Sequence, residues 1–190
     1  IVFELPMNRW PLYLAGPSIG PAMLYWGVLC VILIGAVLLT LLAKRLSLAV
    51  PIGLAGWLLL GIGLSTVNSY GVIAIAIFFF AMAYRASLDP GDLSPRQFRV
   101  LQIVLAGWTI LTALCVIVAI PMGLLSSPDM KVVGNGSWSH LYNYYQDRVE
   151  PGSFPTARVL SVDLFVYRVV MLAWSLWIAT RLIRWANWWW

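Results

Sequence analysis

Five long apolar runs, separated by short polar or basic connections, dominate this 190-residue chain. A helix needs about 20 apolar residues to cross a hydrocarbon core ~30 Å thick. Backbone amides inside lipid must be satisfied by the chain itself, so such runs are read as helices. The runs are Pro21–Ala43, Leu48–Thr66, about Tyr70–Tyr84 with an extension back to Val67, Val100–Met122, and Leu164–Ile183. Pro21 suits a first helical turn, and Lys44-Arg45 stops the first run. The second and third are joined through Thr66-Val67-Asn68-Ser69, which is turn chemistry. One unbroken helix from Leu48 to Tyr84 would run about 55 Å, too long for one span, so a helical hairpin is expected.

Composition removes the competing classes. Hydrophobic residues make up 62% of the chain and charged residues 10%, whereas soluble domains are closer to about 25% charged. A soluble enzyme, a disordered regulator and a disulfide-stapled secreted module are all excluded. The expected fold class is an all-α integral membrane protein: a bundle of about five transmembrane helices with one structured extracytoplasmic loop. Its expected parts are an extracytoplasmic segment 1–20, a four-helix region 21–122, an aromatic loop 123–163, and a fifth helix with a Trp/Arg terminus, 164–190.

The net charge of +5 does not point to nucleic acid, because the twelve Lys and Arg form no phosphate-tracking run. They sort by side instead. Lys44, Arg45, Arg85, Arg96, Arg99, Arg181 and Arg184 fall in one set of connections, Arg9, Lys131, Arg148 and Arg158 in the other, and Arg168 lies inside a span. The positive-inside bias then predicts an outside N-terminus and a cytoplasmic C-terminus, as in a bacterial inner membrane. The strand-like opening Ile-Val-Phe-Glu-Leu-Pro carries no signal-peptide pattern. It reads as the end of a larger upstream domain or as a processed terminus.

Polar chemistry has two places to sit. In the long loop, Trp138, His140, Tyr142, Tyr144, Tyr145, Asp147 and Arg148 form an aromatic-rich segment after the Gly134-Asn135-Gly136 turn signal. Tyr, Trp and Arg are the usual anchors of protein interfaces, so these residues are the candidate partner-binding set. A short helix or hairpin lying on the bundle is the expected form. Asn135-Gly-Ser137 also matches a glycosylation sequon, with a plain turn as the simpler reading. His140 as a general base with Asp147 or Glu150 is the enzymatic alternative. The second place is Asp163 with Arg168, an intramembrane or interfacial ion pair, since charge inside a span is costly and a functional candidate. Arg168 so near a helix end also snorkels outward.

Ala49, Gly53, Gly56 and Gly61 are expected to thin a helix for close packing. Cys30 and Cys115 read as small hydrophobes. Ser94 or Asp92 is expected to cap the fourth helix with Pro95 at its first position. Trp185, Trp188, Trp189 and Trp190 read as an interfacial belt. No metal or cofactor motif is present. The functional expectation is a membrane anchor or scaffold that positions an extracytoplasmic domain or partner subunit. A transporter or channel component using Arg168, and a membrane enzyme acting on lipid or envelope substrate, are the alternatives.

Overall fold

The computed structural model describes residues 1–16, 19–67, 69–88, 94–145 and 156–189. It is mostly helical, at 63%, with five helices. They are α1 (Tyr25–Arg45), α2 (Leu54–Ser65), α3 (Ser69–Ala86), α4 (Pro95–Leu125) and α5 (Leu164–Trp189). Among the described residues six short strands accompany them: β1 (Val2–Glu4), β2 (Arg9–Ala15), β3 (Ala22–Met23), β4 (Val132–Val133), β5 (Leu141–Asn143) and β6 (Arg158–Asp163).

Local chemistry sets the helix limits. Ser94 caps α4: its hydroxyl accepts from the Gln97 backbone N–H, Gln97 returns the bond to Ser94, and Pro95 follows. Pro21 stands just before β3 instead of opening α1, which begins four residues later at Tyr25. α2 is shorter than expected, because the chain from Leu46 to Gly53 is not helical. Pro51 removes an N–H there and biases Val50 away from helical angles. α5 runs further than expected, so Trp185 and Trp188 are helical.

Three helices, α1, α4 and α5, are long and apolar enough to cross a membrane. α2 and α3 form the expected hairpin, but α2 has 12 residues, about 18 Å of helix. The hairpin tip is also set low. The Thr66 hydroxyl, which donates to the Gly63 carbonyl at 2.9 Å, lies 3.8 Å from the Met171 sulfur. Met171 lies seven residues into α5, about 10 Å of helix from its start. α1, α3 and α5 therefore end, and α4 begins, at one end of the bundle, which gathers Lys44, Arg45, Arg85, Arg96, Arg99, Arg181 and Arg184.

The opposite end carries a β layer. β1 pairs antiparallel with β5, β2 with β6, and β3 with β4, giving three two-stranded ladders. Each ladder joins the N-terminal segment to the stretch after α4. Among the described residues the loop contains no helix, and its strands pair with the N-terminal segment, while Trp138 and Leu141 also bridge each other across a tight turn. The longest ladder runs from Arg9↔Asp163 beside α5 to Ala15↔Arg158, with a bulge between Pro11 and Tyr13.

Candidate functional site

The β layer has its own core of Leu5, Tyr25, Met130, Val132, Tyr142 and Tyr144, separate from the bundle core. Tyr142 is fully buried. It stacks on Phe3 with ring centroids 6.3 Å apart and donates its hydroxyl to the Ser139 carbonyl at 2.7 Å. Burial, reinforced by the neighbouring Tyr144, pushes the Tyr142 phenol up to about 12. Tyr144 is also raised by burial, and its hydroxyl is buried with no hydrogen-bond partner. Its ring lies against Gly16, where a Cβ would collide with the aromatic carbons. Tyr144 is further held by main-chain bonds: its N–H donates to Ile1 and its carbonyl accepts from the Ile1 ammonium, each at 2.8 Å.

The turn before β5 is built from three consecutive left-handed residues, Gly134 (φ 108°), Asn135 (φ 54°) and Gly136 (φ 69°). Asn135 then clamps two elements. Its amide donates to the Ile19 and Asn143 carbonyls at 3.4 Å, and its own carbonyl accepts from the Asn143 amide at 3.0 Å. The sequon asparagine is thus engaged as a turn clamp.

The layer is tied to the bundle by indole donors. Trp26 in the first turn of α1 donates to the Leu12 carbonyl of β2 at 2.8 Å. Trp10 of β2 packs edge-on against Tyr167 of α5 (5.3 Å) and donates to the Met130 sulfur. Beneath them Tyr25 and Ser65 hydroxyls lie 3.3 Å apart, joining α1 to the hairpin tip.

The candidate partner-binding residues separate into two groups. Trp138 and Tyr145 are exposed (53% and 57%). Tyr142 and Tyr144 are interior supports. His140 is half-buried, edge-on to Trp138 at 6.4 Å, and its Nδ1 is buried without a partner. Asp147 and Arg148 lie outside the described residues. Among the described residues no group of three or more His, Cys, Asp or Glu converges on a metal-sized site.

Asp163 and Arg168 are not brought together. The Asp163 carboxylate accepts the Phe165 backbone N–H at 2.8 Å, an N-terminal cap for α5. Arg168 is exposed on a helix face it shares with exposed Phe165 and Leu172. Ala49 and Gly53 precede α2, and a Cβ on Gly53 would meet nothing. Of the same expected set, Gly61 lies close against Ile32 of α1 and Gly56 against Ile52, and Gly63, outside that set, lies against the Trp174 indole of α5. Trp174 also donates to the Leu59 carbonyl at 2.8 Å, one turn from Gly63. Trp185, expected in an interfacial belt, is instead buried against Phe79, ring centroids 5.0 Å apart. Cys30 and Cys115 are both free thiols.

Sequence reasoning missed Trp10, Tyr25 and Met130 as members of this site. The available signal was strand-favouring Trp, Tyr and Val in Arg9–Ala15 and Arg158–Asp163, which marks each as a strand without naming its partner. No known family model matches the chain, and neither a curated protein nor a solved structure matches it significantly.

Proposed function

We propose that the chain is a non-enzymatic membrane module whose β layer displays a docking face for an extracytoplasmic domain or partner subunit. The observation that carries this reading is the division of labour among the loop aromatics. Tyr142 and Tyr144 are spent on a rigid interior, while Trp138, Tyr145 and, on β2, Tyr13 (60% exposed) stand outward. Exposed aromatics on a preorganised support are the usual chemistry of a protein anchor, since little ordering cost is left for binding. Arg168 facing outward among apolar side chains favours snorkelling over a lined pathway.

In this proposal all five helices lie in a bacterial inner membrane, with α2 and α3 as a paired crossing whose tip is sunk beneath the β layer. The β layer is extracytoplasmic, and the end bearing seven cations is cytoplasmic, following the positive-inside bias.

The test is a triple substitution, Tyr13→Ser, Trp138→Ser and Tyr145→Ser, in the full chain in its native host. The expected result is loss of a larger native complex on blue-native gels while expression and thermal stability stay within wild-type limits. Interface anchors of this type are each worth about 2 kcal/mol or more. An unchanged complex with all three replaced overturns the docking reading.

A further inference from the structure

At the basic end, the first turns of α4 stand clear of the bundle. Every residue from Ser94 to Val100 is exposed, and Leu101 is half-buried. Along this stretch a shallow, open groove of about 420 Å³ runs over one face of α4 alone, formed by Arg96, Gln97, Val100, Leu101 and Val104, and its surface is almost wholly apolar. These positions follow one helix face, so the groove descends from a guanidinium and an amide at its upper end to two successive turns of aliphatic side chain. No hydrogen bond or ion pair to another described residue holds Arg96. Arg99, by contrast, folds back onto the Pro95 carbonyl, and Arg85 lies over the Phe98 ring at 6.0 Å.

We infer that this groove seats one anionic phospholipid, its phosphate on Arg96 and one acyl chain along Val100, Leu101 and Val104. The occupant follows from the order of the lining. A free phosphate would use the guanidinium and leave two turns of aliphatic surface unused. A zwitterionic lipid would bring a choline or ammonium cation toward an end already carrying Lys44, Arg45, Arg85, Arg99, Arg181 and Arg184. An anionic headgroup with an attached chain matches both parts, because guanidinium binds phosphate oxygens in a two-point fork and basic juxtamembrane positions attract anionic lipid. The inference needs only that the chain is embedded in a bilayer and is independent of what docks on the β layer.

The experiment is native mass spectrometry of the full chain released from mixed micelles or nanodiscs of phosphatidylcholine and phosphatidylglycerol in equal amounts. The wild type is expected to retain one phosphatidylglycerol in preference to phosphatidylcholine. Arg96→Gln is expected to reduce that retention roughly tenfold, the usual value of a charged hydrogen bond. Val104→Trp, which fills the groove and keeps the charge, is expected to reduce it to a similar extent. Lys44→Gln, which removes one cation from the same end away from the groove, is expected to leave retention unchanged. Equal losses in Arg96→Gln and Lys44→Gln overturn the site in favour of diffuse attraction. Equal retention of the two lipids overturns it as well. So does a lipid-independent dimer cross-linked through position 104, which would place a second copy of the chain in the groove.

Discussion

Single indole and glycine positions do much of the fastening. Gly63 leaves room for the Trp174 ring, and that ring uses the space to reach the Leu59 carbonyl four residues earlier on the same face of α2. A methyl at position 63 must push into a buried ring. Gly63→Ala is therefore expected to destabilise the chain by about 1–3 kcal/mol, the usual cost of overpacking. Trp174→Phe, which removes the N–H with less change of bulk, should cost about 1 kcal/mol. Gly107→Ala is the control, because a Cβ there meets nothing, and helix propensity alone predicts a gain of up to ~1 kcal/mol. Unfolding in mixed micelles of increasing SDS content, followed by tryptophan fluorescence, ranks all three. Tyr142 yields a pH prediction. Its phenol is raised to about 12 in the folded layer, from an ordinary 10.0. Between those values the unfolded chain releases the proton and the folded chain keeps it, so folding stability falls as pH rises through that window. Tyr144 shifts in the same direction. Absorbance titration of phenolate at 295 nm should show late-ionising tyrosine that becomes ordinary in Tyr142→Phe. Early, complete ionisation with no loss of stability would count against a buried layer core.

At the level of elements, legibility in the sequence followed periodicity. Long apolar runs announce α1, α4 and α5, and Ser94-Pro95 announces the start of α4, because capping chemistry is local. The Asn68-Ser69 break announces the hairpin for the same reason. What the sequence concealed was non-local. The strand at Arg9–Ala15 and the strand at Arg158–Asp163 are far apart in the chain, and nothing in either names its partner. The loop aromatics read as one exposed cluster, since composition does not separate Tyr142, turned inward, from Tyr145, turned outward. Trp185 read as an interfacial anchor because its burial depends on Phe79, distant in sequence. The β2–β6 register is open to a direct check. Tyr13 and Leu160 are partnered and both exposed. In a background lacking Cys30 and Cys115, Tyr13→Cys with Leu160→Cys is expected to close a disulfide under mild oxidation. Tyr13→Cys with Val159→Cys is expected to remain open, because a one-residue offset turns the side chain to the other face. Closure of the second pair in preference to the first would show a slipped ladder. Shift of band mobility on non-reducing gels reads both.

The molecule as a whole is a helical bundle with chemically unlike ends. One end is an aromatic β layer in which the N-terminal segment and the stretch after α4 fold together; the other is a collar of seven cations with the proposed lipid groove. That contrast carries both the docking proposal and the orientation. It also holds whether α2 and α3 cross completely or dip and return, because a hairpin brings the chain back to the side it left. The most direct measurement is therefore sidedness of labelling. With Cys30 and Cys115 replaced by alanine, single cysteines are placed at the exposed β-layer positions 138 and 145 and at the exposed basic-end positions 46 and 87. Intact cells are treated with a membrane-impermeant maleimide before and after permeabilisation. The account predicts that 138 and 145 react in intact cells, while 46 and 87 react only once the membrane is opened. Reaction of 46 and 87 from outside, or of 138 and 145 from opposite sides, would contradict it.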